Sequence, residues 1–334
     1  MHGLPLQPPQ STAGDFNSLW ESENSQLENI MLRKTFLLTL ILASLLTACA
    51  PGTSLTGRLT FTDGLGREVT LAGPARRVIS LTPSNTEILF AIGAGEQVVG
   101  RDELSDYPEQ AKSLDSVGGS MGQYSTEAIV ALQPDLVLAA EINAPELVKT
   151  LEGLGLVVYY LNNPATLEEL YTNLETVAQL TGRENEANEL IESLTRRVAA
   201  VDKAVPQASA QPTVFYELDS TDPAKPWTAG PGSFIDLLIT RAGGQNIGSQ
   251  LEGEWAQISA EQLVATNPDV ILLGDAMWGV TEEAVKARPG WETLEAVQND
   301  RIYPFDDNLV SRPGPRLVDG LEQLAKLLHP ELFQ

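Results

Sequence analysis

The sequence predicts an α/β protein of two similar lobes, each with a mainly parallel sheet, joined by a single long backbone helix and enclosing a ligand cleft. Three observations predict it. Short β-rich runs alternate with amphipathic helical stretches from Leu59 onward, one segment recurs once, and an almost wholly helical stretch separates the two copies.

The N-terminal lobe is assigned to 59–165. Arg77–Leu81 reads as a strand running into Thr82-Pro83-Ser84-Asn85-Thr86-Glu87, where Ser84 and Glu87 have capping-box spacing ahead of a helix closed by Gly93. Further strands are expected at 97–100, 136–139 and 157–161. A helical linker occupies 166–205. It opens on Thr166 and Glu169, breaks at Gly182, and continues as an amphipathic helix over 184–204 of roughly 30 Å, long enough to bridge two lobes. After a Pro- and Ala-rich connection, 211–334 forms the second lobe. Its strands are expected at 214–218, 270–273 and 302–304, with a closing helix over 316–328.

The recurring unit decides the architecture. Residues 125–138 align without gaps on 259–272, and seven of fourteen positions are identical. Each copy reads as a capped helix, a Pro-Asp turn and a buried strand. Glu127 and Glu261 fall at the same place in the two copies. In a first helical turn each favours the macrodipole; as an exposed pair, one per lobe, they would also form a symmetric docking device.

The chain start carries a different signal. Arg33 and Lys34 precede an apolar run over 36–46, too short to span a bilayer, followed by Leu46-Thr47-Ala48-Cys49. Residues 31–48 read as a lipoprotein signal peptide, with Met31 as the start of translation. Residues 1–30 are expected to be untranslated or unstructured, Cys49 lipidated, and 49–58 a tether. An exported, lipid-anchored location follows, on the periplasmic or outer face of the cell membrane.

Composition narrows the chemistry. Against 45 acidic residues stand 21 Lys and Arg, a net charge of −24, which repels nucleic acid. Two His and one Cys leave no cluster for zinc and little for a Ser-His or Cys-His mechanism, so no catalytic residue and no protein-held metal is expected. The competing class is a lipid-anchored carbohydrate-active enzyme using Glu141 and Asp275 as paired carboxylates.

Several segments together, in order and spacing, resemble the solute-binding proteins of ABC importers for cobalamin, ferric siderophores and haem. They are Asp63-Gly64-Leu65-Gly66-Arg67-Glu68-Val69, residues 77–87, Ser105-Asp106-Tyr107-Pro108, both repeats, Gly243-Gly244-Gln245-Asn246-Ile247 and Arg312-Pro313-Gly314-Pro315-Arg316. The resemblance covers 61–333. It implies a monomer that takes a bulky metal chelate as cargo rather than cofactor, with Glu127 and Glu261 meeting Arg residues of the permease dimer. It implies ligand contacts at loops after the strands: Tyr107, Met121, Tyr124, Trp227, Trp255, Trp278 and Arg312. Arg312 is expected to be free for a carboxylate or phosphate. Haem is the alternative cargo, with Tyr124 or Met121 as its axial ligand. His329, beside Pro330, is expected at the surface.

Overall fold

The structure is a computed structural model that describes residues 58–333; the signal segment, Cys49 and the tether up to residue 57 lie outside the described residues. No described helix is long and apolar enough to cross a membrane.

A hairpin of β1 (Leu59–Thr62) and β2 (Glu68–Leu71) opens the first lobe. Its turn is held by Asp63, whose carboxylate accepts from the Leu65 and Arg67 amides at 3.0 Å. Next come β3 (Val78–Ser80), α1 (Pro83–Ala91), β4 (Val98–Arg101), α2 (Thr126–Ala131), β5 (Leu136–Ala140), α3 (Pro145–Gly153) and β6 (Val158–Leu161). The four main strands are parallel, in the order β4-β3-β5-β6. Every residue of β3, β5 and β6 is buried. A sheet covered on both faces requires such continuous apolar runs rather than an alternating pattern.

Two helices follow, α4 (Leu167–Thr181) and α5 (Glu184–Ala204). Thr166 caps the first by accepting from the Glu169 amide, and Gly182 ends it at φ 69°, a left-handed conformation that costs glycine little.

The second lobe contains β7 (Thr213–Glu217), β8 (Trp227–Ala229), α6 (Phe234–Arg241), β9 (Gln245–Asn246), β10 (Trp255–Gln257) and α7 (Ala260–Thr266). It continues through β11 (Val270–Leu273), α8 (Glu282–Lys286), α9 (Glu295–Gln298), β12 (Ile302–Pro304), α10 (Asn308–Ser311) and α11 (Leu317–Leu328). Its parallel sheet runs β12-β11-β7-β9. In both lobes, counted along the chain, the second strand flanks the first on one side and the third and fourth lie on the other. The two lobes share one topology.

The repeat now has a physical cause. Ser125 and Ser259 cap α2 and α7, accepting from the Ala128 and Gln262 amides. Gln133 and Asn267 both turn through positive φ, 48° and 49°. Asp135 then accepts from the Arg76 and Arg77 amides, and Asp269 from the Thr213 amide and hydroxyl. Each Pro-Asp turn therefore staples the start of the third strand to the start of the first.

The backbone helix is the common wall. The largest apolar cluster runs from the first lobe through α4 and α5 into α6 and α11, whereas the outer face of each sheet has its own cluster, around Ile79 and Val137 or around Phe215 and Trp291. Arg197 of α5 reaches Asp319 and Glu322 of α11, and Arg241 of α6 holds Asp202 of α5 through two 2.9 Å bonds. At 1.5 Å per residue its 21 residues span about 31 Å.

Three expectations are corrected. Thr82, not Ser84, caps α1, because Pro83 takes the first helical position and moves the cap one residue before it; Glu87 is left free for another task. Trp227 and Trp255 lie in strands rather than in loops, since β8 pairs antiparallel with β10. His329 is buried, its ring Nε2 3.3 Å from the Gly243 carbonyl, because the chain end folds back against the turn after α6.

Candidate functional site

Loops leaving the carboxyl ends of the two sheets face each other. From the second lobe, Arg312 of the 312–316 loop donates to Asp106 at 2.6 Å and to Glu87 at 3.3 Å. Arg316 grips Glu87 at 2.8 and 2.6 Å, and its guanidinium lies 4.0 Å over the Tyr107 ring. Glu87 is nearly fully buried, so a bidentate arginine is the partner its charge requires. These contacts form a latch between the lobes. They also correct the expectation that Arg312 is free for a carboxylate: two acids of the first lobe already occupy it.

In sheets of this topology a crevice opens outside the carboxyl ends of the first and third strands, where consecutive connections leave in opposite directions. The first lobe fills its crevice. The Tyr124 hydroxyl donates to the Leu81 carbonyl at 2.8 Å and accepts from Asn143 Nδ2 at 2.8 Å. Burial pushes the Tyr124 phenol above its ordinary value. Beside it a buried chain of hydroxyls, Ser80, Thr86 and Ser105, ends on Asp102, itself raised by burial. Tyr124 is thus a brace, while Met121 stands 95% exposed on the rim.

The second lobe leaves its crevice open. A cavity of about 460 Å³ is lined by Asp219, Ser220, Asp275 and Trp278. Asp275 is only 3% exposed; its Oδ2 accepts from the Ser220 amide at 3.0 Å and hydroxyl at 2.6 Å, while Oδ1 finds no partner within the protein. Behind it lies a buried ion pair, Arg288 with Glu217, and Arg288 also reaches Ser220 Oγ at 3.0 Å. Burial pushes the Glu217 carboxyl up, and the neighbouring charge of Asp275 adds to that against the pull of Arg288.

Aromatic side chains rim this half of the molecule. Trp227 and Trp255 occupy diagonal positions on one face of the β8–β10 ribbon, both exposed. The Leu218 amide donates to the Trp227 carbonyl, which brings the ribbon to the carboxyl end of β7. Trp278, at the end of a short turn after β11, is 80% exposed.

Glu127 and Glu261 are both exposed in the first turns of α2 and α7. Ser125 bonds back to Val117, which pairs with Arg101 at the carboxyl end of β4; Ala260 bonds to Ala224 in the loop after β7. Both acids therefore lie at the carboxyl-end rim of their sheets, one per lobe.

A further concavity, of about 860 Å³, lies along α1 and the 107–114 segment, bordered by Glu87 and Tyr107 of the latch. Among the described residues no group of three or more His, Cys, Asp or Glu could hold a metal ion. Sequence reasoning missed the latch, the Glu217–Arg288 pair and the unpartnered Asp275 oxygen. The only local signal was the acid at position 275, equivalent by the repeat offset to Glu141.

Two lobes of one topology, their strand ends turned to a shared rim and braced by one stiff helix, make up the architecture of a solute-binding protein. The chain belongs to the periplasmic binding protein family, whose model matches residues 78–309. It is 32% identical over 281 residues to the ABC transporter substrate-binding lipoprotein YvrC of Bacillus subtilis, covering 83% of this chain and 87% of that one. The periplasmic vitamin B12 binding protein BtuF of Vibrio cholerae superposes with a TM-score of 0.66 at 29% identity, over 76% of this chain and 97% of its own. The periplasmic heme-binding protein RhuT from Roseiflexus sp. RS-1 does so with a TM-score of 0.69, also at 29% identity, over 77% and 98%.

Proposed function

We propose that the protein is the substrate-binding component of an ABC importer, exported and held at the membrane face by a lipid on Cys49, and that it carries a bulky metal chelate. Cobalamin or a ferric siderophore is the favoured cargo. The chelate seats between the lobes, against Trp227, Trp255 and Trp278 of the second lobe and Tyr107 and Met121 of the first. The observation that carries this reading is the pairing of a latch-bridged cleft with two exposed glutamates at equivalent rim positions. Glu127 and Glu261 then meet basic patches on a two-fold permease, and the lipid raises the effective concentration of carrier at importer.

No enzymatic role is proposed. Glu141 accepts from the Asn163 amide in the first lobe, and Asp275 is buried against Ser220 in the second. Haem is the second reading, favoured by the likeness to the haem-binding protein. Its axial ligand would then be Met121, since Tyr124 spends its hydroxyl on Leu81 and Asn143.

Mass spectrometry of the solute retained through purification identifies the cargo. A corrinoid or ferric chelate is expected; a carrier that retains nothing and shows no tryptophan quenching with cobalamin, ferric hydroxamates or haem contradicts the proposal. Glu127→Arg with Glu261→Arg should abolish uptake while leaving solute affinity within about twofold and costing about 1–2 kcal/mol of stability for two cations at helix N-termini. Joint loss of affinity and uptake would mean that the two acids are structural.

A further inference from the structure

Resting on the cargo reading above, we infer that the open crevice at the carboxyl ends of β7 and β11 is the subsite that selects the cargo. It takes a neutral hydrogen-bond donor, a carboxamide or hydroxyl arm of the chelate, onto Asp275 Oδ1, and turns carboxylates away.

The argument begins with an accounting of polar atoms. A buried carboxylate oxygen without a partner is costly, and such atoms in folded proteins call for a reason. The oxygens of the Asn85 amide, the Tyr171 hydroxyl and the Thr228 hydroxyl are also unpartnered, yet none borders this crevice. Asp275 does. Its Oδ2 is anchored by Ser220, which fixes the side chain and leaves Oδ1, itself buried, as the unpartnered acceptor of a residue on the crevice wall. At about 460 Å³ the crevice is at the small end of ligand sites, suited to one arm of a bulky chelate rather than the whole. Trp278 at its edge supplies a flat apolar surface for the ring system from which that arm projects.

Charge decides which arm. Asp275 and Asp219 line the crevice, Glu217 lies buried behind them, and the guanidinium beside them, Arg288, is already spent on Glu217 and Ser220. Asp219 accepts from Thr221 and sits below the ordinary aspartate value, so it stays charged at the mouth. Arg312 and Arg316, the cations of the latch, are held by Glu87 and Asp106. A propionate or other carboxylate would enter a field of its own sign, whereas an N–H or O–H donor meets a charged acceptor. A bare metal ion would find one carboxylate oxygen and no cluster of further ligands. Corrinoids, whose periphery is carboxamide, fit this half of the cleft; haem, whose polar edge is two carboxylates, does not.

The test compares cyanocobalamin with its monocarboxylic acids, in each of which one peripheral amide is hydrolysed, and with haemin, by tryptophan quenching. The wild-type protein should bind cyanocobalamin roughly tenfold to a hundredfold tighter than the acid isomer that places its carboxylate at Asp275, the fold-change of one hydrogen bond to a charged group. Asp275→Asn keeps an oxygen for Ser220 and presents an amide to the crevice, so it should weaken cyanocobalamin by a similar factor and remove the discrimination against the acid. Equal wild-type affinity for amide and for every acid isomer overturns the inference, even if the variant fails to fold. So does an unchanged cyanocobalamin affinity in a folded Asp275→Asn protein. Binding of none of these ligands instead overturns the proposed cargo class, and a preference for haemin overturns both.

Discussion

At the carboxyl ends of their first and third strands the two lobes have taken opposite courses. The first lobe closes the position with Tyr124, Asn143 and a hydroxyl chain that satisfy one another. The second keeps a cavity there, with an acceptor on Asp275 that nothing in the protein uses. Strand order, helix caps and the stapling aspartates Asp135 and Asp269 are common to both. A duplicated scaffold thus carries one half built to be rigid and one half built to recognise, and the long helix α5 keeps them in register.

Breaking that comparison is most direct behind the open crevice. Arg288→Met leaves Glu217 fully buried without its partner, and should cost about 3–5 kcal/mol. Thermal denaturation should show a fall in Tm on the order of 10 °C; an unchanged Tm would mean that Glu217 is not held as a charge. In the first lobe, Tyr124→Phe removes the brace on Leu81 and Asn143 and should cost about 1–2 kcal/mol with no change in cargo affinity. A loss of affinity at full stability would make the closed crevice a contact surface after all.

The latch has the smallest expected effect. Burial pushes Asp106 up, but the hydrogen bond and charge of Arg312 more than offset it, so its folded value lies below that of an ordinary aspartate. Its stabilisation is therefore fully present above the unfolded value and is lost as pH falls through the lower, folded one. With the Asp106 side chain 52% exposed, screening limits this to about 0.2–1 kcal/mol. Asp106→Asn should remove that acid limb from the stability–pH curve while leaving the neutral-pH Tm within a few degrees; a curve of unchanged shape would remove Asp106 from the latch.

What was readable from the chain follows distance along it. The strands at 136–140 and 270–273 announce themselves as continuous apolar runs and the helix over 184–204 through its periodicity, and the repeat exposed the lobes because both copies kept the same cap and turn chemistry. The rim residues Trp227, Trp255 and Trp278 were nameable because the chain holds only five Trp. Arg316 and Glu87, by contrast, are 229 positions apart, and Arg288 and Glu217 are 71 apart; no spacing rule joins them. Glu87 was misread as a capping residue because its local pattern allowed that use, and only the folded chain shows the arginines that claim it. The β8–β10 ribbon went unseen for a related reason: three residues in each strand are too few to display an alternation.

The most direct test of where the molecule recognises its cargo is a crystal structure of the protein with the solute it carries through purification. Density is expected between the carboxyl-end rims of the two sheets, touching Trp227, Trp255 and Trp278 with a donor group at Asp275. Density in the concavity along α1 and the 107–114 segment, with the crevice of the second lobe left empty, would contradict the account.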